Sequence, residues 1–287
     1  MVYCLAFNNP FGDRVATGSF DKTAKIWDVA TGQCLQTLKG HTNEIVCLAF
    51  DPHATTLATG SMDTKAKIWD VETGQSICTL EGHSGEVISL NFSSEGEMVV
   101  TGSFDAKAKV WDLRTGQSIN TLDEHTAELS NALFDFTADY IATCSLDKTC
   151  KIWDPRMPTS IYTYTGHTDE VLDIAFNSTG TKLVSVSNDK TGRVYSIADN
   201  KCVAVLKGHE KSVSKCTFNG QSTKILTASE DATARLWDAN TGKILQVLKG
   251  HEDEIFSCAF NYESNTIITG SKDNTCIIWR DTNSNEY

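Results

Sequence analysis

The chain has 287 residues and a formal net charge of −12; 40% of its residues are hydrophobic and 22% charged. This composition is typical of a globular chain with a sizeable core, and no apolar run reaches the roughly 18 residues that a membrane-spanning helix needs. Acidic residues outnumber basic ones by 37 to 25. Without a lysine- or arginine-rich block, such a surface repels nucleic acid, so we expect neither nucleic-acid nor membrane partners.

The ten cysteines lie inside apolar, strand-like runs, and no two of them form a CxxC pair. We therefore expect reduced, buried thiols and a cytoplasmic protein rather than a disulfide framework or a zinc site. The opening residues carry no basic leader, which predicts that the chain is not secreted. Neither a metal nor a cofactor is expected.

The predicted elements are short strands. The first is VYCLAF (2–7), and the next complete set consists of IVCLAF (45–50), TLATGS (56–61), AKIWD (66–70) and SICTLEG (76–82). Polar turns separate these runs, and no segment has a helical period. Four strands within about 42 residues predict one antiparallel sheet, which must stack on its neighbours to bury its faces.

The period repeats along the whole chain. Marker residues recur every 42 residues: histidine from 41 to 251, aspartate from 21 to 273, and tryptophan from 27 to 279, with Tyr195 in place of one tryptophan. Seven copies predict a ring of sheets. We expect residues 1–281 to form this domain and residues 282–287 a polar tail.

A typical repeat contains a histidine, then a serine and an aspartate, and then the dipeptide WD. These repeats resemble the WD-repeat β-propellers over essentially the whole chain. The predicted fold class is thus all-β: a WD-repeat propeller of seven four-stranded blades, the last lacking its outer strand. The resemblance implies that Trp, Ser, His and Asp form a hydrogen-bonded tetrad in each blade. The predicted tetrads are His41, Ser61, Asp63 and Trp69; His83, Ser103, Asp105 and Trp111; His125, Ser145, Asp147 and Trp153; His167, Ser187, Asp189 and Tyr195; His209, Ser229, Asp231 and Trp237; and His251, Ser271, Asp273 and Trp279.

A serine, a histidine and an aspartate together also suggest a hydrolase, but catalysis requires one exposed hydroxyl in one pocket. This set recurs six times, beside a tryptophan that would cover the hydroxyl. A buried aspartate needs a partner, and histidine, hydroxyl and indole can supply a chain of them. We therefore predict structural clamps, no catalytic residue and no enzyme activity.

Function must then lie on the rims, because the nearly constant period leaves no room for a lid or an inserted domain. The resemblance implies that two sets of side chains face the mouth of the central channel. The residue before the turn aspartate is apolar in four consecutive blades, and the residue before the innermost strand is acidic in five. The predicted partner-binding residues are Phe20, Met62, Phe104, Leu146, Glu44, Glu86, Glu128, Glu170 and Glu254, together with Tyr3 and Phe256 near the channel.

An apolar arc is expected at a protein interface, and a ring of carboxylates would steer a basic segment toward it. Partial cover by neighbouring loops and a face kept acidic for solubility are the alternatives. The last blade stops after TCIIW (275–279), which leaves an unpaired edge. We expect from this that the sequence is a fragment or short isoform of a longer protein.

Particular phrases resemble the dynein assembly factors with WD repeats, among them GHTNEIVCLAF (40–50) and GHEDEIFSCAFNYESNTIITGSKDNTCIIWR (250–280). This resemblance implies a cargo adaptor for assembly and intraflagellar transport of outer dynein arms. Its expected partners are outer-arm subunits and a transport-complex subunit, and its expected location is the cytoplasm, the cilium or flagellum and its basal body. The alternatives are the substrate receptor of a ubiquitin ligase and a centriolar or signalling scaffold.

Overall fold

The computed structural model describes residues 1–280, in which every regular element is a β-strand. The predicted tail at 282–287 lies outside the described residues. The chain divides into two compact units, one of Met1–Ser145 with Lys151–Thr163, and the other of Leu146–Cys150 with the chain from Tyr164 onward.

In the first three sheets, all in the first unit, strands follow one another in sequence order as antiparallel neighbours. They are β1–β4 (Val2–Phe7, Arg14–Ser19, Thr23–Asp28, Cys34–Lys39), β5–β8 (Ile45–Phe50, Thr56–Ser61, Ala66–Asp70, Ser76–Leu80) and β9–β12 (Val87–Phe92, Met98–Ser103, Ala108–Asp112, Gln117–Leu122). The fourth sheet has the same order and is β13–β16 (Leu129–Phe134, Ile141–Ser145, Cys150–Trp153, Ser160–Tyr164).

The second unit contains the last three sheets, again as antiparallel meanders. They are β17–β20 (Val171–Phe176, Lys182–Ser187, Thr191–Ser196, Lys201–Lys207), β21–β24 (Val213–Phe218, Lys224–Ser229, Thr233–Asp238, Ile244–Lys249) and β25–β27 (Ile255–Phe260, Thr266–Ser271, Cys276–Arg280). The last sheet has three strands among the described residues. The predicted fold class, seven β-propeller blades of which the last lacks its outer strand, is confirmed.

Within each unit, the core lies between consecutive sheets. In the first unit, Ala16, Ile26 and Leu38 of the first sheet pack with Ile45 and Trp69 of the second, and all five are buried. Gly60, on β6, lets the second and third sheets approach closely, because a Cβ built on it would lie 2.9 Å from Val87 Cγ1 of the third sheet.

The turn between the second and third strands of each sheet has one conformation throughout the chain. The residue after the turn aspartate has a positive φ, between 62° and 73°, in all seven sheets; these residues are Lys22, Thr64, Ala106, Lys148, Lys190, Ala232 and Asn274. In the second sheet, Asp63 Oδ1 accepts the Lys65 N–H at 3.1 Å, which holds the turn closed. A left-handed conformation is strained for a residue with a side chain. The hydrogen bond to the aspartate offsets the conformational free energy that this residue costs.

The cysteines are all free, but the prediction that they are buried is wrong for Cys34, Cys202 and Cys276, which are exposed. Cys34 and Cys202 lie on outer strands, where every second side chain points to solvent. Among residues 1–280, no group of His, Cys, Asp or Glu is placed to hold a metal ion. The described chain contains no helix of the length and apolarity required to cross a membrane.

Candidate functional site

The recurring polar residues of the second sheet form one buried chain of hydrogen bonds. Trp69 Nε1 donates to Thr59 Oγ1 at 2.8 Å, and Thr59 Oγ1 lies 2.8 Å from His41 Nε2. His41 Nδ1 lies 2.8 Å from Asp63 Oδ2. Because the carboxylate can only accept, the chain places the histidine proton on Nδ1, and the threonine hydroxyl donates to Nε2.

The same contacts recur in the third to seventh sheets, except that Tyr195 replaces the tryptophan in the fifth. In each of these sheets, the histidine Nε2 lies 2.7 or 2.8 Å from a hydroxyl oxygen. The pairs are His83 with Thr101, His125 with Thr143, His167 with Ser185, His209 with Thr227, and His251 with Thr269. Trp111, Trp153, Trp237 and Trp279 donate to the threonines of their sheets. Asp105, Asp189, Asp231 and Asp273 lie 2.8 Å from their histidines, and Asp147 accepts the Thr149 N–H.

The predicted serine member of each tetrad is wrong, because the hydroxyl belongs to the residue two positions earlier. Ser61 donates to the Asn43 carbonyl and accepts the Asp63 N–H, each at 3.1 Å. It therefore ties the end of β6 to the loop before β5. The correction applies to Ser61, Ser103, Ser145, Ser187, Ser229 and Ser271, whose partners are loop or turn backbone groups.

Burial and hydrogen bonding set the protonation of these pairs. Burial lowers the pKa of His41 below its usual value, although Asp63 opposes this. Burial alone would raise the pKa of Asp63, but the Thr42 N–H and His41 donate to its carboxylate, and the net pKa is lowered. The equivalent bonds lower the pKa of Asp105 to about 2. The pair is thus a neutral imidazole beside a carboxylate.

These hydroxyls are closed to substrates. Thr59 and Ser61 are both completely buried, as are Thr101, Ser103 and Thr143. A nucleophile must reach a substrate from an open pocket. The recurring hydroxyl, histidine and aspartate therefore hold each sheet to its own loop and turn.

Tyr195 changes this network in the fifth sheet. Its ring is buried and stacks on Tyr164, with 4.2 Å between ring centroids and an interplanar angle of 20°. Burial raises the pKa of the phenol. The phenol oxygen has no hydrogen-bond partner of ordinary geometry among the described residues. Aromatic stacking thus replaces the indole hydrogen bond here.

Backbone hydrogen bonds place the two predicted rim positions side by side. The residue before the turn aspartate donates its backbone N–H to the carbonyl of the residue before the innermost strand. Met62 bonds Glu44 at 2.9 Å and Phe104 bonds Glu86 at 3.0 Å. In the second unit, Asn188 bonds Glu170 and Lys272 bonds Glu254, both at 2.9 Å. One apolar and one acidic side chain thus flank each other in the second and third sheets.

The rim of the first unit is apolar and acidic. Phe104 is 46% and Tyr3 60% exposed, and Phe20 is half-buried because it stacks on Tyr3 with centroids 5.4 Å apart. Met62 is half-buried. Glu44 and Glu86 are half-buried, Glu128 is exposed, and within residues 1–280 none of the three forms a side-chain ion pair. We call these seven residues (Tyr3, Phe20, Glu44, Met62, Glu86, Phe104 and Glu128) the first-unit rim.

The equivalent carboxylates of the second unit have side-chain partners. Glu254 pairs with Lys272 at 3.1 Å, and Glu170 accepts a hydrogen bond from Asn188 Nδ2 at 2.8 Å. Leu146 is half-buried, and Phe256 is 52% exposed. Of the five predicted rim carboxylates, Glu254 is thus the one that pairs with a cation among residues 1–280, while Glu170 is held by a neutral amide.

Sequence reasoning missed one further apolar feature, a cleft of about 530 Å³ at the outer strands of the second and third sheets. Ile77 and Ile119, which line it, are 54% and 53% exposed. The sequence signal is the apolar residue that follows the TGQS turn, which is Ile77 in the second sheet and Ile119 in the third.

Comparison with known proteins gives a family and short stretches of closer similarity. The family model described as "WD domain, G-beta repeat" matches residues 1–28, 32–70, 74–112, 116–154, 158–196, 200–238 and 242–280. A nuclear distribution protein PAC1 of Mycosarcoma maydis is 60% identical over 42 residues, which are 15% of this chain and 9% of that protein.

Two other relatives give similar matches. WD repeat-containing protein 86 of Homo sapiens is 55% identical over 40 residues, 14% of this chain and 11% of that protein. Dynein assembly factor with WD repeat domains 1 of Danio rerio is 55% identical over 47 residues, 16% of this chain and 11% of that protein. The aligned segments thus cover about a tenth of each relative. Since the family model matches seven consecutive segments that together cover nearly all of residues 1–280, this chain belongs to the WD-repeat family.

Proposed function

We propose that this chain is a non-enzymatic scaffold whose first-unit rim binds a partner segment that carries both basic and apolar side chains. The observation that supports this most is the pairing of exposed Phe104 with Glu86, whose carboxylate is uncompensated. Aromatic side chains that are exposed at a rim are typical anchors of protein interfaces. Unpaired carboxylates beside them favour a basic partner through attraction at a distance.

We further propose that the partner belongs to the outer dynein arm or its transport machinery, so that the protein is a cargo adaptor in the cytoplasm and the cilium or flagellum. The support is the similarity to the dynein assembly factor of Danio rerio and the phrases shared with that family. The alternatives, a ubiquitin-ligase substrate receptor and a centriolar or signalling scaffold, predict other partners.

The test is affinity purification from ciliated cells with the wild type, Phe20→Asp/Phe104→Asp and Glu44→Lys/Glu86→Lys. Outer-arm chains and transport-complex subunits should copurify with the wild type. Each double variant should lose about tenfold or more of that recovery, because it removes an aromatic anchor or reverses the rim charge.

The matched control for Phe20→Asp/Phe104→Asp is Ile77→Asp/Ile119→Asp, which adds the same charges at exposed apolar residues of the outer strands. Its recovery should equal that of the wild type. Copurification of cullin subunits would favour the ligase alternative, and centriole components the third alternative. Equal recovery by all variants would exclude the first-unit rim as the binding site.

A further inference from the structure

Long side chains close the gap between the first and second sheets near their outer strands. Arg14 of the first sheet pairs with Glu72 of the second at 2.7 Å, and Gln36 Nε2 donates to the Glu72 carbonyl at 2.7 Å. A Cβ built on Gly74 would lie 2.7 Å from Gln36 Oε1, so the glutamine fills the space beside this glycine. Two side chains of one sheet thus cross to the turn that precedes the outer strand of the next sheet.

Similar contacts cross gaps elsewhere in both units. Between the third and fourth sheets, Asn120 Nδ2 donates to the Pro155 carbonyl at 3.1 Å. Between the fifth and sixth sheets, Lys182 Nζ donates to Asn240 Oδ1 at 2.6 Å. Asn120 and Lys182 occupy the same two strand positions that supply the crossing side chains of the first sheet.

The gap between the second and third sheets is different. At its two crossing positions stand Thr56 and Cys78, which are shorter, and among residues 1–280 neither of them bonds the turn of the third sheet. Thr56 lines the cleft. A Cβ built on Gly116, the equivalent of Gly74, would meet only Cys78 Cβ, at 3.9 Å. The cleft of about 530 Å³ is the space that these two short side chains leave open.

The lining of this cleft is largely apolar. It includes Ile68, with 2% of its surface exposed, and the half-buried Leu113, whereas Ile77 and Ile119 are more than half exposed. The volume lies within the roughly 300–1,000 Å³ of ordinary ligand sites. A small ligand inside the cleft would leave much of the two exposed isoleucines in water. A polypeptide segment that continues beyond the cleft would cover them.

The unpaired charge at the cleft is negative. Asp51 is buried and accepts hydrogen bonds from its own turn, and Asp112 lies 3.7 Å from the Arg114 guanidinium. Glu97, which also lines the cleft, is exposed, as is Glu95 two residues earlier. Within the described part of the chain, neither glutamate forms a side-chain ion pair. A basic ligand therefore complements this cleft.

We propose that the cleft binds a short polypeptide segment of a partner protein. An aliphatic or aromatic side chain of this segment enters between Ile77 and Ile119, and a neighbouring lysine or arginine pairs with Glu97. Apolar burial supplies most of the affinity, and the charge pair orients the segment. The cleft shares no residue with the first-unit rim, so the two sites can be tested separately.

The test begins with a library of short random peptides displayed on phage. The library is first depleted on Ile77→Asp/Ile119→Asp, which removes peptides that bind the rim or any other surface, and is then selected on the full wild-type chain. Peptides that are enriched should carry an apolar residue beside a lysine or arginine. A library that yields no peptide after depletion, or peptides without a basic residue, would overturn the proposal.

Fluorescence polarisation with an enriched synthetic peptide then measures affinity. Ile77→Asp/Ile119→Asp should weaken binding by about tenfold or more, because it places unpaired charges in an apolar contact. Glu97→Lys should weaken it as well, and by less as the salt concentration rises, since salt screens the charge pair. Affinity that is unchanged in either variant would contradict the assignment.

A variant that closes the cleft without changing any of its apolar residues gives the sharper result. Thr56→Arg/Arg114→Glu rebuilds the ion pair that Arg14 and Glu72 form in the preceding gap. It should lower affinity at least as much as the isoleucine variant does, because the cleft is filled. Wild-type affinity in this variant would overturn the proposal. Should it fail to fold by circular dichroism, Cys78→Gln places the amide of Gln36 at the equivalent position and carries the same expectation.

The matched control is Leu35→Asp/Ile161→Asp. These residues are equivalent to Ile77 in the first and fourth sheets and are 43% and 40% exposed. The control adds the same charges outside the cleft, so it should bind the peptide as the wild type does. Equal losses in the control and in Ile77→Asp/Ile119→Asp would mean that charge alone, and not the cleft, decides binding.

A second copy of the chain is the competing occupant, and sedimentation velocity distinguishes it. The wild type should show no self-association that depends on the cleft. Association of the wild type that Ile77→Asp/Ile119→Asp abolishes would assign the cleft to a second copy and overturn the proposal. The rim variant Phe20→Asp/Phe104→Asp should bind the peptide normally, so failure of the function proposed for the rim would leave this result intact.

Discussion

A single threonine hydroxyl joins the tryptophan and the histidine in each complete network. Replacing Thr59 with valine keeps the shape but leaves the Trp69 N–H and the His41 Nε2 without partners in a buried place. We expect a loss of about 1–3 kcal/mol in the free energy of unfolding, the usual cost of unpaired buried polar groups. Chemical denaturation monitored by fluorescence would measure it.

Thr17→Val is the matched control for that substitution. Thr17 lies at the same strand position and accepts a 2.9 Å hydrogen bond from Trp27, which is only half-buried. The described first sheet has no histidine at this site. Thr17→Val should therefore lower the free energy of unfolding clearly less than Thr59→Val does. Equal losses in the two variants would show that the histidine contact adds nothing to stability.

The sequence does not distinguish the two hydroxyls. Thr59 and Ser61 are two residues apart on β6, so strand alternation gives both the same direction. Only the strand register distinguishes the two hydroxyls. Trp69 pairs with Leu57, and its indole reaches diagonally to Thr59, the next residue on the same face of β6. Ser61 lies further along, at the strand end, where the loop backbone is the nearer partner. Motif spacing alone could not supply this difference.

At the scale of the strand, β27 is the exposed edge of its sheet. It pairs with β26, and no other strand of residues 1–280 pairs with it, whereas β23 lies between β22 and β24. Backbone N–H groups that point away from β26 therefore lack a sheet partner. Hydrogen exchange at low protein concentration should show these amides of Cys276–Arg280 exchanging much faster than those of Thr233–Asp238.

The amides that do pair with β26 are the internal control and should be protected to a similar degree in both strands. Protection along the whole of β27 that equals protection of β23 would mean that another strand covers this edge in solution.

Strand limits were predictable where both faces are buried. The runs 45–50, 56–61 and 66–70 coincide with β5, β6 and β7, because apolar periodicity and turn residues agree there. The outer strand was less well predicted: SICTLEG (76–82) ends in the structure at Leu80. An outer strand has one paired edge and one solvent-facing side, so its sequence is constrained less. The same freedom explains the exposed Cys34 and Ile77.

At the scale of the molecule, the repeated histidine–aspartate pairs make stability depend on pH. The pKa values of His41, His167 and His209 are lowered by burial in the folded chain. The unfolded chain then binds more protons than the folded one once the pH falls below about 6.5, the ordinary histidine value. Stability should therefore decrease as the pH falls through this window.

A second loss should follow at lower pH. The pKa values of Asp63, Asp105 and Asp189 are also lowered, so their stabilisation is present above about 4 and is lost as the pH falls toward the folded values, about 2 for Asp105. Thermal melts between neutral pH and pH 3 would measure both steps. A melting temperature that stays constant down to pH 5 would contradict buried neutral histidines.

The left-handed turn residue that recurs in every sheet has a practical consequence for engineering. Thr64, Ala106 and Ala232 occupy a conformation that costs a residue with a Cβ roughly 1–2 kcal/mol, while asparagine, already present at 274, tolerates it better. Replacement by asparagine or glycine, one blade at a time, would thus yield a graded set of otherwise matched proteins. Their heat tolerance would rise in small steps while the tetrad side chains stay unchanged.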